Sequence, residues 1–206
     1  MLESAPLPRD FFARPVQVVA RELLGKHCTM RCDSVLVVAR IVETEAYQSD
    51  IDQASHAYRG RTQRNAPMFG APAHLYVYRS YGIHHCMNVV TTHDGDPASA
   101  VLIRAMEALE GEPVLVERRR IHDHWALLRG PGNVCQALGI DLSYSGRDLL
   151  LGNPTFLDGS PPPEPVVVTT RIGISRSQDF PWRFYLAGNA AVSRRDRRAE
   201  AMTERA

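Results

Sequence analysis

Lysine is nearly missing from this sequence: of 24 basic residues in 206, Lys26 is the only lysine. Chemistry that attacks a substrate through an amine is left with Lys26 and the chain terminus. No apolar run approaches the ~20 residues needed to span a bilayer, and the first residues carry no charged-then-apolar leader pattern. A protein at work in the cytosol, with no membrane partner, is expected. Four cysteines (Cys28, Cys32, Cys86, Cys135) are too sparse at this length for a disulfide scaffold. Together with His84 and His85 they are metal-ligand types, but not at zinc-site spacing. There is no phosphate-binding glycine loop and no Gly-x-Ser-x-Gly elbow, so neither metal nor cofactor is expected. Net charge is also small, +1, which alone gives no reason to expect nucleic acid. The arginines are grouped, however, at Arg59/Arg61/Arg64, Arg118–Arg120 and Arg194/Arg195/Arg197/Arg198. Such groups either gather on one face or remain solvated surface.

What is present is concentrated in Arg40–Thr91. Ile41-Val42-Glu43-Thr44-Glu45-Ala46-Tyr47 runs from apolar residues into two carboxylates, a hydroxyl and an aromatic. On a strand, Glu43 and Glu45 fall on one face. His56 follows as a further acid, base or stacking group. Leu75–Ile83 alternates around a polar turn at Arg79-Ser80, a hairpin signal, and carries three tyrosines near its tip. Aromatics that are not buried face a ligand, a partner or unstacked bases.

Along the rest of the chain, Pro15 opens a helix with an apolar stripe (Val16, Val19, Ala20, Leu23, Leu24) that stops at Gly25. Ser34–Ile41 is a strand delivering Glu43 and Glu45 at its exit, and Asp52–Ala57 is a short helix presenting His56. Ile83–Thr91 returns the hairpin, and Ala100–Ala105 is a strand with Arg104 near its end. Helices are expected from Glu112 to Arg120 and over Pro131–Leu138. Strands are expected over Val166–Ile174 and Arg183–Leu186, and Ser193–Ala206 reads as a basic tail that frays. The fold class is α+β: one domain, residues 1–206, with a curved, mostly antiparallel sheet, surrounding helices and a protruding β-hairpin.

Nine blocks occur in an order that resembles the alkyladenine (3-methyladenine) DNA glycosylase family, the kind without a helix-hairpin-helix. They are Val42–Tyr47, the isolated His56, Arg64-Asn65 with Met68-Phe69, Leu75–Gly82, Cys86–Asn88, Val101–Gly111, Gly130–Ile140, Arg171–Ser175 and Arg183–Asn189. The resemblance covers nearly the whole chain. It implies a monomeric, monofunctional enzyme that flips alkylated or deaminated purines out of double-stranded DNA and hydrolyses the N-glycosidic bond, leaving an abasic site.

The residues alone leave Glu43 and Glu45 as equal candidates for a carboxylate that deprotonates water. The resemblance assigns that role to Glu45 and a structural one to Glu43. It implies that Arg104 helps hold the water and offsets the carboxylate's charge, and that a backbone carbonyl near Ile172 also holds the water. Tyr47, His56 and Tyr78 match residues that stack on the flipped base, with His56 also offering a hydrogen bond. Asn88 matches a residue that crowds guanine's 2-amino group, and Tyr81 matches the side chain that enters the vacated duplex.

Two function classes remain: this repair enzyme, or a non-catalytic module that binds distorted nucleic acid through the same hairpin and arginines. A binder has no need of a carboxylate that repels phosphate, so Glu45 with Arg104 favours the enzyme. A hydrolase of free nucleosides would leave the hairpin tyrosines without a task.

Overall fold

The computed structural model describes residues 5–92, 97–159 and 161–203. Its strands are β1 (His27–Cys32), β2 (Val35–Gln48), β3 (Leu75–Ser80), β4 (His84–Val90), β5 (Ser99–Glu110), β6 (Thr155–Leu157), β7 (Val166–Thr169) and β8 (Arg183–Leu186). Its helices are α1 (Arg9–Phe12), α2 (Val16–Glu22), α3 (Glu112–Arg119), α4 (Pro131–Leu138) and α5 (Arg197–Thr203). The strands form one antiparallel sheet in the order β3-β4-β5-β2-β1-β6, with β8 on β2 and β7 on β8. The 14 residues of β2 hold the sheet together. One edge carries β5, while the other carries β1 along Val35–Arg40 and then β8 along Glu43–Glu45.

Strand alternation sorts the residues onto two faces. Leu75, Val77, Met87, Val89, Val101, Ile103 and Ala46 enter the main core. Between them, Tyr76, Tyr78, Cys86, Asn88, Leu102, Arg104, Glu43 and Glu45 take the opposite face. The register lines up a row across five strands: Tyr76 opposite Asn88, Asn88 opposite Leu102, Leu102 opposite Glu45, Glu45 opposite Arg183. Residues directly opposed on antiparallel strands are side-chain neighbours. The sheet therefore assembles residues more than a hundred positions apart into one surface.

Packing on the apolar face keeps that surface in place. Val16, Val19 and Ala20 of α2 are buried, and the Thr44 hydroxyl, between the two glutamates, donates to the Ala20 carbonyl at 2.7 Å. Helix α4 starts at Pro131, which needs no amide partner in the first turn, and ends at Gly139 with φ +70°. Val134, Cys135, Ala137 and Leu138 of α4 are buried, and the helix lies against β4 and β5. Each large aliphatic side chain buried in this way contributes roughly 1.5–3 kcal/mol.

The expected helices over Pro131–Leu138 and from Glu112, and the strand over Arg183–Leu186, match the structure. Four expectations are corrected. Asp52–Ala57 is not a helix but a run of turns, tied by Asp52 accepting from Ala54 N (3.0 Å) and by Asn65 donating to the His56 carbonyl (2.8 Å). The strand expected over Val166–Ile174 stops at Thr169, because Arg171 turns inward to a buried carboxylate. Tyr81 stands at the hairpin tip as expected, but Arg79 and Ser80 belong to the end of β3 and the return strand begins at His84 rather than at Ile83. The basic tail, in its described part, forms α5: Asp196 accepts from the amides of Arg198 and Ala199, and Glu200 is buried against Arg195. Residues 204–206 lie outside the described residues. Among those described, no helix is long and apolar enough to cross a membrane.

Candidate active site

A cleft of about 780 Å³ opens over the polar face of the sheet. Tyr47, His56, Tyr76, Tyr78, Tyr81, Asn88, Arg104 and Ile172 all line it. Apart from Tyr76, which is an addition, these are seven of the eight residues to which the resemblance gives a part in the reaction or in binding the DNA. The eighth, Glu45, is fully buried directly behind the lining.

Three groups of the cleft wall hold its carboxylate. Oε2 accepts from the Tyr47 hydroxyl (2.7 Å) and from Arg104 (3.1 Å), and Oε1 accepts from the Ile172 amide (2.9 Å). The resemblance gives the backbone carbonyl near Ile172 a part in holding the water; the Ile172 contact to Glu45 itself is made by the amide N–H. Each carboxylate oxygen can accept more than one bond, so Oε1 keeps capacity for a further donor.

Glu43 is equally buried on the same face, but of its partners only Arg104 lines the cleft. It accepts from Arg183 Nε (2.8 Å), Arg104 Nε (3.2 Å), and the amide (2.7 Å) and hydroxyl (3.0 Å) of Ser193. Arg104 therefore bridges both glutamates, and a β-bulge explains how. Opposite the step from Glu43 to Thr44, β5 passes from Ala105 to Ile103, leaving Arg104 as the extra, unpaired residue. Bulges of this kind re-aim a side chain. Burial opposes the charge on Arg104, but Glu45 and Glu43 outweigh it and hold the guanidinium more firmly protonated than usual.

The walls are aromatic. Tyr76 and Tyr78 stack with centroids 5.5 Å apart, and His56 meets Tyr78 edge-on at 4.5 Å. His56 Nδ1 shares a 2.9 Å hydrogen bond with the Tyr76 hydroxyl. Burial, then Arg64 nearby, lowers the His56 pKa, so its ring is neutral at pH 7. Burial pushes the Tyr76 hydroxyl up to about 12, and it lifts Tyr78 and Tyr47 as well, the latter also through Glu45. All three phenols stay protonated as donors. Asn88 is fixed by its amide nitrogen donating to the Tyr76 carbonyl at 3.0 Å.

The family model described as Methylpurine-DNA glycosylase (MPG) matches residues 10–190. The chain is 49% identical over 191 residues to a protein of Chlorobium luteolum, an alignment spanning 91% of this chain and 96% of that one. It is 46% identical to a protein of Carboxydothermus hydrogenoformans (92% and 99% covered) and 50% identical to one of Nitrosospira multiformis (90% and 92%). All three carry the name "putative 3-methyladenine DNA glycosylase". The chain belongs to the methylpurine-DNA glycosylase family. It is thus a DNA glycosylase, a hydrolase of N-glycosyl bonds, and the reading as a non-catalytic module falls away.

Several features of this glycosylase's site were not legible beforehand. Asp52 and Arg171 form a buried bidentate pair beside Tyr47, and Arg183 with Ser193 secures Glu43. Met68, Cys86 and Leu102 also line the cleft. Of the arginine groups, Arg64 lines the cleft, whereas Arg118 and Arg119 donate to the carbonyls of Ala137 and Leu127 and brace α3 against the following segment. All four cysteines are free and buried.

Proposed function

We propose that this enzyme draws an alkylated or deaminated purine out of duplex DNA into the cleft and cleaves its N-glycosidic bond with a water activated by Glu45. The observation that carries this reading is the carboxylate held by three cleft-lining donors, directly beneath walls of tyrosine and histidine. A flipped base is gripped by stacking on its faces and hydrogen bonds at its edge. Tyr47, Tyr78 and His56 supply the stacking surfaces, and neutral His56 has a ring nitrogen to spare for the edge. The water binds at Glu45 Oε1, gives up its proton to the carboxylate and adds to the sugar carbon as the base departs. The ionised carboxylate also favours the cationic sugar that develops on the way.

The product is an intact abasic sugar, because strand nicking by this route needs an amine nucleophile. Lys26, the single lysine, is paired with Asp158 and is not among the residues lining the cleft. Duplexes each carrying one 3-methyladenine, 7-methylguanine, hypoxanthine or ethenoadenine provide the test. Release of free base with an uncut, alkali-labile strand is expected, and no covalent adduct should form with borohydride. No release from any of the four, or a trapped adduct, contradicts the reading.

Asn88 lines the cleft and is held by the Tyr76 carbonyl, which supports its crowding an exocyclic group on a bound purine. Asn88→Ser removes that bulk and is expected to raise activity on guanine-derived lesions relative to adenine-derived ones. The quantity to measure is the ratio of the two single-turnover rates; an unchanged ratio removes Asn88 from selectivity.

A further inference from the structure

Of the three groups that hold Glu45, two are themselves held by a single buried ion pair that takes no part in the reaction described above. Arg171 clasps Asp52 with both terminal nitrogens, NH1 to Oδ2 at 2.6 Å and NH2 to Oδ1 at 2.7 Å, and neither side chain reaches solvent. NH1 also donates to the Ala46 carbonyl (2.9 Å), between Glu45 and Tyr47, and NH2 to the Ser177 carbonyl (3.1 Å). The guanidinium carbon lies 4.6 Å from the centroid of the Tyr47 ring and 5.4 Å from that of Trp182. Ile172, whose amide reaches Glu45, is the next residue in the chain.

We propose that Asp52–Arg171 is the positioning unit of the catalytic carboxylate, acting through the Tyr47 ring and the Ile172 amide. The inference rests on Glu45 being the base. Its physical content is convergence. β2 supplies Glu45 and Tyr47, while the loop after β7 supplies Ile172, and these two segments share no strand ladder at the site. Arg171 joins them: one nitrogen bonds the backbone of β2, the other bonds its own loop, and the planar face packs on the ring whose hydroxyl touches Glu45. Asp52 holds the fork in one orientation and, through its bond to Ala54 N, ties in the turns that carry His56. Lysine cannot replace this arrangement, because it lacks both the bidentate fork and the flat stacking face. An ion pair kept for stability alone can often be replaced by uncharged groups of similar size; one kept for geometry cannot.

The test uses two variants of the full chain, assayed for base release with enzyme in saturating excess. The rate constant then reports correctly folded molecules and is insensitive to the fraction that is active. Asp52→Asn/Arg171→Met removes both charges together and leaves neither unpaired. Arg171→Lys keeps a cation for Asp52 and serves should the double variant fail to fold. Each is expected to lower the single-turnover rate constant on the order of 10- to 100-fold, the scale on which misplacing a reacting group acts. A second readout is the coupling to Tyr47→Phe: its cost should be smaller in the Arg171→Lys background than in the wild type, since part of the Tyr47 contact is already lost. A wild-type rate constant, even with a lowered melting temperature, or strictly additive costs would overturn the proposal and leave the pair a structural element. Glu45→Gln assayed alongside separates the two ideas. If it retains activity, the assignment of the base fails; if it is inactive while Arg171→Lys is fully active, only the positioning role fails.

Discussion

Glu45→Gln is expected to fold, to bind a lesion-containing duplex and to lose base release by about two to four orders of magnitude, the usual cost of removing a positioned acid–base group. The fold should survive because the change is nearly isosteric and leaves no cation alone. Arg104 keeps Glu43, which accepts from its Nε at 3.2 Å. The carboxamide still has an oxygen for Arg104 or for the Ile172 amide, and the Tyr47 hydroxyl can reverse to accept from the new NH2. What remains is one mismatched donor, a stability cost of about 1–3 kcal/mol. Glu43→Gln makes the informative contrast. Glu43 accepts four bonds and neutralises Arg183, whose side chain is almost completely buried. Unpairing a buried charge costs about 3–5 kcal/mol, so this variant should melt earlier, whereas Glu45→Gln should mainly lose turnover. The measurements are melting temperature and single-turnover base release on both proteins. A Glu45→Gln enzyme working at the wild-type rate would end the case for Glu45 as the base.

The different fates of these two glutamates also mark what the sequence could and could not disclose. A β-branched, apolar run leading into Glu-Thr-Glu places both carboxylates on one strand face, and that is visible without coordinates. Which of them meets the cleft depends on β8 and Ser193, some 140–150 residues away, and no local pattern encodes such a distance. Helix α4 was legible to the residue because Pro131 and Gly139 mark its ends chemically. The segment presenting His56 is not a helix although its sequence suits one, because its polar residues serve a helix about as well as the Asx and Ser turns it adopts. The Asp52–Arg171 pair left no trace at all: an aspartate in a polar stretch is ordinarily solvated, and its burial is decided by a loop 119 residues downstream. The extra residue that aims Arg104 between the glutamates is likewise a property of strand register, which emerges only when β2 and β5 pair.

Tyr81→Asn is expected to leave the protein as stable as before, or slightly more so, and to weaken its hold on paired lesions by about 1–3 kcal/mol, the scale of one aromatic–base stack. The stability half of this expectation comes from the backbone. Tyr81 and Gly82 have φ of +49° and +70°, and the Ile83 amide donates to the Ser80 carbonyl at 3.0 Å, so the three-residue loop Tyr81–Ile83 contains a β-turn whose two central residues both have positive φ. Such turns favour Asn, Asp or Gly, and a side chain with an ordinary Cβ there costs roughly 1–2 kcal/mol. The free protein recovers none of this through packing, since Tyr81 is 89% exposed and Ile83 beside it 71%. A large ring held outward on an unfavourable backbone, at the rim of the cleft, matches a wedge that fills the space a flipped nucleotide leaves. Extrusion costs a few kcal/mol in lost stacking and pairing, and an inserted side chain offsets part of that and slows the base's return. The loss in Tyr81→Asn should therefore be confined to duplex substrates and should shrink when the same lesion lies in single-stranded DNA, where no vacancy needs filling. Affinity and single-turnover release on matched single- and double-stranded oligonucleotides, with melting temperatures of both proteins, decide the matter. Equal losses on the two substrates, accompanied by a lower melting temperature, would mean that Tyr81 supports the hairpin and does not enter the duplex.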